Sequence, residues 1–276
     1  MRLLLCLNDD FLANYALNLL VPHLEGHSYS IALSKGIGLS SLKKAAIFAD
    51  WARVEHDLIY ERLFPVCERR GMVSGTYGTF AQLAQQGGGT VEDFSSINGP
   101  QALAYIREVN PDLIIAVRFG HIFKAPLFTL PRYGILNLHA GMLPHYRGAY
   151  ATFWAMLHQE REIGCALHYV TDGGIDTGDV VEQQRITADY SRSVMANIAA
   201  LYTGAAQMIA RAVAAIERSG KVPAAAQPRV GGGYYHYPQD EDIAQLVRQG
   251  GSLYAPQDYA FLSQLYQPGH PCLQTA

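Results

Sequence analysis

Short apolar runs alternate along this chain with longer stretches in which apolar residues recur every three or four positions. Residues 3–7 form the first run and are predicted to be a buried strand, with Asn8-Asp9-Asp10 as turn and helix-start residues. Over 11–24, Leu12, Tyr15, Ala16, Leu19 and Leu20 fall at helical spacing. Residues 27–32 read as a second strand, and 39–71 as one or two helices carrying Leu42, Ala45, Ala46, Ala49, Trp51, Leu58, Leu63 and Phe64. A short helix over 80–85 ends at Gly87-Gly88-Gly89, Val91 belongs to a short strand, and 100–109 is a helix with Pro100 in its first turn. Residues 113–117 are apolar without interruption, as a parallel strand covered on both faces requires. Ile135 and Leu136 end a further buried strand. Beyond them the pattern predicts a helix at 150–159, strands at 163–170 and 180–186, and a long alanine-rich amphipathic helix at 191–219. Strand, turn and helix in repeated succession predict an α/β fold, Rossmann-like, with a mostly parallel sheet and flanking helices.

Residues 220–228 read as a linker, and two helical segments at 240–249 and 258–266 predict a short helical C-terminal extension. The expected division is therefore 1–219 and 220–276, with the extension packed on the larger part or on a second subunit, as in a homodimer. Aromatic-rich Tyr234–Tyr237 is expected to pack, with a place in a pocket wall as the other reading. The chain has 276 residues, 49% hydrophobic and 16% charged, with a formal net charge of −3. That describes a globular protein with no basic face for nucleic acid or an anionic membrane. Cys6, Cys67, Cys165 and Cys272 are scattered without a CxxC pair, so neither a disulfide framework nor a zinc site is indicated, and Cys6 and Cys165 read as core thiols. The apolar run in MRLLLCLNDD is too short for a signal peptide and no segment reads as a membrane span, so a cytoplasmic protein is expected. Asp50, Glu55, His56 and Asp57 read as a solvated helical face, and no metal site is expected.

Candidate chemistry gathers at the end of the strand that closes on Ile135-Leu136. Asn137 and His139 are two residues apart in extended chain, so their side chains share a face. An amide and an imidazole side by side suit acyl transfer: one donates to a developing oxyanion, the other moves a proton. No G-x-G-x-x-G follows the first strand. Asp9 and Asp10 stand there instead, either as a helix cap with first-turn charge or as contacts for a cationic substrate amine. Arg118 beside a buried strand reads as half of a structural ion pair.

Asn137-Leu138-His139, then Leu143-Pro144-x-Tyr146-Arg147-Gly148, then Asp176-Thr177-Gly178-Asp179 resembles the signature of the 10-formyltetrahydrofolate-dependent formyltransferases. The resemblance is firm over 113–182 and looser over 1–219. It implies 10-formyltetrahydrofolate as co-substrate, Asn137 as oxyanion donor, His139 in proton transfer and Asp176 as orienting or relaying carboxylate. It also places Phe119, Gly120, Ile122, Phe123 and Val170 near the folate, with ordinary strand-to-loop packing as the alternative, and puts Asp172 in a loop over the pterin. Gly120 would permit close backbone approach. His168 matches a supporting histidine of some members, or else packs in its strand. Arg147 either pairs internally or meets a ligand carboxylate.

The acceptor expected from these features is the amino or hydroxylamino group of a small metabolite. The extension is too short and too helical for the barrel that methionyl-tRNA formyltransferases append. The acidic pair Asp9-Asp10 and the lack of a phosphate loop place an N-hydroxyornithine-like amine slightly ahead of an amino-sugar nucleotide. A formyl-folate hydrolase, expected to carry a preceding regulatory domain, and a non-catalytic folate binder are the remaining readings.

Overall fold

A computed structural model of the chain describes residues 1–35, 45–228 and 231–269. In chain order it contains β1 (Arg2–Asn8), α1 (Phe11–Leu20), β2 (Ser28–Ser34), α2 (Ala46–His56), α3 (Phe64–Arg70), α4 (Phe80–Gln86), β3 (Gly88–Phe94), α5 (Pro100–Val109) and β4 (Leu113–Val117). There follow β5 (Ile135–His139), β6 (Arg147–Gly148), α6 (Ala151–Leu157), β7 (Glu162–Tyr169), β8 (Val180–Thr187), α7 (Val194–Ser219), β9 (Tyr234–Tyr235), α8 (Asp240–Arg248) and α9 (Pro256–Gln264). A π-helical stretch, Asp57–Leu63, joins α2 to α3.

Seven strands form one sheet in the order β3-β2-β1-β4-β5-β7-β8. The first five are parallel, and β7 and β8 complete the sheet antiparallel. Chain direction across the sheet reverses between β1 and β4, which opens a crevice at the carboxyl ends of the strands. Alternation distributes each strand between two cores. Leu3, Leu5 and Leu7 of β1 pack with α1, α6 and α7, whereas Leu4 and Cys6 face α5. In β5, Leu136 and Leu138 join the first core and Ile135 the second, so Asn137 and His139 emerge on the Ile135 side. Each fully buried leucine contributes on the order of 2 kcal/mol relative to an exposed one.

Several expectations need adjustment. The helix predicted over 11–24 is α-helical only to Leu20 and then tightens into a 3-10 turn, Val21–Leu24, because Pro22 has no N–H for an α-helical bond. The strand sensed at Val91 runs seven residues; it is an edge strand whose residues are exposed or half-buried up to Asp93, with only Phe94 buried, so its apolar signal is weak. Glu55 is not solvated. It is buried, and its carboxylate accepts from Trp51 Nε1 (2.8 Å), the Phe11 backbone N–H (3.2 Å) and the Tyr259 hydroxyl (3.1 Å). His56, Asp57 and Glu61 lie close together at the surface as a loose acidic group. Cys6, Cys67 and Cys165 are buried, unpaired thiols, and burial pushes Cys165 up to about 12. Leu42, Arg229 and Cys272 lie outside the described residues.

The C-terminal extension packs back on the sheet-bearing part: Tyr77 N–H donates to the Leu265 carbonyl (3.0 Å), and the Tyr266 hydroxyl and Asn14 side chain share a 2.5 Å hydrogen bond. By length and composition α7 could cross a membrane, but its apolar residues, Val194, Ile198, Leu201 and Ile209 among them, are buried in the core.

Candidate active site

The carboxyl ends of β4 and β5 and the loop before β8 surround an open cavity of about 230 Å³. Asn137 and His139 reach it from β5. Register places His168 of β7 directly beside Asn137, and the loop 171–178 brings Asp176 over both. Asp176 has φ +54, a left-handed conformation that aspartate tolerates better than most residues. Gly178 lets this loop close: a Cβ there would collide with the Tyr169 carbonyl oxygen.

The four side chains form one cluster. Asn137 Nδ2 lies 3.1 Å from His168 Nε2 and 3.4 Å from Asp176 Oδ1. His168 Nε2 is 3.3 Å from the same carboxylate oxygen, and His139 Nδ1 is 3.4 Å from Asp176 Oδ2. The Gly148 backbone N–H donates to Asp176 Oδ2 at 2.9 Å. Carbonyl oxygens only accept, so His168 Nδ1 donates to Tyr169 (2.8 Å) and His139 Nε2 donates to Tyr146 (2.5 Å). A neutral His168 therefore accepts from Asn137 and orients its amide; a protonated one donates to Asp176 instead. His139 can carry a hydrogen at Nδ1 only as the imidazolium, and that hydrogen faces Asp176. Burial alone would push the Asp176 carboxyl up, but His139, His168 and the Gly148 N–H outweigh it and hold the group down at about 2.

On one side of this cluster the cavity is an apolar slot. Phe119, Gly120, Ile122, Phe123 and Val170 all line it, with Asp172 at its mouth. Phe119 and Phe123 stack with ring centroids 5.4 Å apart, and the Gly120 N–H is anchored on Ser34 Oγ at 2.8 Å.

The three residues expected to touch substrate do not line the cavity. Asp10 caps α1 through the Ala13 N–H (2.7 Å) and makes a buried ion pair with Arg118, whose Nε and Nη2 reach its two oxygens at 2.8–3.2 Å. Asp9 bonds the Tyr60 hydroxyl; burial, with the Asp93 and Asp10 carboxylates, pushes it up to about 6. Arg147 points to Gln227 Oε1 (2.8 and 3.2 Å). The cap and ion-pair readings of Asp10 and Arg118 are thus the ones the geometry displays, and Arg147 pairs internally.

A further part of the lining comes from the aromatic-rich stretch Tyr234–Tyr237. β9 pairs in parallel with β6, placing Tyr234, Tyr235, His236 and Tyr237 beside Tyr150 along the cavity. Gly148, at φ +96, passes so close to Tyr235 that a Cβ would strike its carbonyl oxygen. The stretch expected to pack therefore does so and lines the cavity as well.

Residues 91–213 match the profile of the family described as formyl transferase. Over those residues the chain is similar to the formyl transferase family. Among curated relatives, the methionyl-tRNA formyltransferase of Geobacter metallireducens is 39% identical over 105 residues, covering 38% of this chain and 33% of the relative. That of Caldanaerobacter subterraneus is 36% identical over 121 residues, 44% of this chain and 38% of the relative. The chain thus spans little more than a third of the length of these relatives. Among solved structures, phosphoribosylglycinamide formyltransferase of Anaplasma phagocytophilum superposes with TM-score 0.54 at 14% identity, over 86% of this chain and 99% of that one. An N-formyltransferase of Helicobacter canadensis, in complex with folinic acid and dTDP-3-aminofucose, gives 0.51 at 16% identity over 88% and 72%. These likenesses establish the shared fold.

Proposed function

We propose that the chain transfers a formyl group from 10-formyltetrahydrofolate to the amino or hydroxylamino group of a small metabolite. The observation that carries this reading is the convergence of Asn137, His139 and Asp176 at the end of an apolar slot. The pterin would lie in the slot against Phe119, Gly120, Ile122, Phe123 and Val170, under the loop holding Asp172. Asn137 Nδ2 would donate to the oxyanion of the tetrahedral intermediate, oriented by His168. Asp176, ionised at neutral pH, stands against His139 Nδ1 and would orient that ring, which would carry the proton from the attacking amine to the departing folate nitrogen. The reaction would proceed on a small molecule in the cytoplasm, by a monomer or a homodimer.

The acidic pair that favoured an N-hydroxyornithine-like acceptor lies outside the cavity, so that preference loses its support. A tyrosine-rich wall offers ring faces and hydroxyls to a sugar or base. Together with the aminosugar bound by the Helicobacter canadensis relative, it supports an amino-sugar nucleotide as acceptor. Donor consumption followed by absorbance, with a panel of amino-sugar nucleotides, N-hydroxyornithine and glycinamide ribonucleotide, tests both levels. Consumption dependent on an amino-sugar nucleotide is the expected result. Dependence on another amine would replace the acceptor, consumption without any amine would indicate hydrolysis, and no donor binding would remove the folate reading.

A further inference from the structure

Gln227 lies in the segment between α7 and β9, outside the residues that match the formyl transferase profile. Two features bring it under the active-site loop. Ala225 exchanges both backbone hydrogen bonds with Val180, each 2.8 Å, which lays the segment along the start of β8. The half-buried amide of Gln227 then fills the space behind Asp176.

Both N–H donors and the oxygen of that amide are engaged there. Nε2 donates to the Asp176 carbonyl at 2.8 Å and to the Gly178 carbonyl at 2.7 Å. Oε1 accepts from Arg147 Nε and Nη2 at 3.2 and 2.8 Å. The next residue along the chain, Gly148, supplies the N–H that holds Asp176 Oδ2. One side chain thus ties the backbone on which Asp176 sits to the strand that grips the Asp176 carboxylate. An amide is the group that fits: two N–H bonds for two carbonyls and one oxygen for a guanidinium. Asp176 itself is in the left-handed region, a conformation that surrounding bonds must sustain.

We infer that Gln227 is a positioning residue for formyl transfer, fixing the Asp176 carboxylate relative to Asn137 and His139. The inference rests on the reading of the cavity as a formyl-transfer site, and it assigns part of the catalytic frame to the C-terminal segment. Gln227→Glu separates the two ends of the amide. It keeps the size and strengthens the bond to Arg147, but it loses both N–H donors and turns oxygen toward two carbonyls. Gln227→Leu removes all of the bonds.

The experiment measures kcat and KM for both substrates in wild type, Gln227→Glu, Gln227→Leu, Asp176→Ala and Asp176→Ala/Gln227→Glu, with amide hydrogen exchange at Gly148 alongside. Both Gln227 variants should lower kcat by about tenfold or more, with KM changed by less than about threefold, the pattern of a displaced catalytic group. In the Asp176→Ala background the second substitution should cost nothing further, because residues acting through one another are not additive. Exchange at Gly148 should accelerate about tenfold in both single Gln227 variants as its bond to Asp176 loosens. Wild-type kcat in Gln227→Glu, or a loss that multiplies with Asp176→Ala, would overturn the inference. Unchanged exchange at Gly148 would overturn it whatever the activity. An inactive wild type whose Gln227 variants still show faster exchange would overturn the formyl-transfer reading and leave the positioning of Asp176 standing.

Discussion

The two walls of the cavity differ in origin. The wall carrying Asn137 and His139 is the end of β5, a central strand whose side chains are directed by simple alternation and whose neighbour, β7, presents His168 in register. The other wall, Tyr234–Tyr237 with Gln227 behind the Asp176 loop, lies outside the main sheet and is tied down by the two-residue pairing with β6, the Ala225–Val180 bridge, the Trp154 Nε1 bond to the His236 carbonyl (3.0 Å) and the burial of Tyr237. A catalytic group at a strand end is positioned by a sheet that many other residues stabilise. A group on the C-terminal segment is positioned by a few bonds of its own. Chemistry is therefore expected to fail by loss of function on the first wall, and by loss of alignment or recognition on the second.

The contrast is broken most sharply by substitutions in the catalytic cluster. Asn137→Ala, His139→Ala and Asp176→Ala should each lower kcat by about 10²–10³, with circular dichroism unchanged, since removing one preorganised oxyanion donor costs about 3–4 kcal/mol of barrier. Near-wild-type turnover in any of the three would remove that residue from the mechanism.

A smaller effect concerns pH. Asp176 is held at about 2 in the folded protein against an ordinary 3.8, so its interactions stabilise the fold above pH 4 and are lost as pH falls through 2. Across that interval the wild type should lose on the order of 2 kcal/mol more stability than Asp176→Asn, read by denaturant titration at each pH. Parallel curves for the two proteins would show that the carboxylate gains nothing from His139 and His168.

The smallest effect belongs to the second wall. Tyr234 is half exposed and lines the cavity. Tyr234→Ala should raise acceptor KM about fivefold, the cost of one aromatic contact of ~1 kcal/mol, with donor KM and melting temperature unchanged. An unchanged acceptor KM would place the acceptor away from this wall.

What could be read in advance follows the same division. The uninterrupted apolar runs of β1 and β4 marked buried parallel strands, because only a covered strand can hide both faces. The triplet Asn137-Leu138-His139 placed its polar side chains on one face, since the period of a strand is two whatever surrounds it. Phe119, Gly120, Ile122 and Phe123 were placed near the site by the family resemblance alone, with ordinary strand-to-loop packing as the alternative, and they line the cavity. Asp9, Asp10 and Arg147 stood open between structural roles and substrate contacts, because charge at a strand end does not reveal where its partner lies. Arg118, 108 residues from Asp10, took that carboxylate out of the cavity. Glu55 likewise looked solvated until α2 was packed against the Tyr259 hydroxyl, 204 residues away.

The sequence by itself thus determined the α/β succession, the buried strands and the Asn137–His139 face, all consequences of local periodicity. Only the tertiary structure decided that Asp10 and Arg147 are engaged away from the cavity, that Glu55 is buried and what holds Asp176 in place. Those outcomes depend on hydrogen bonds between residues distant along the chain, and such bonds leave no periodic trace in the sequence.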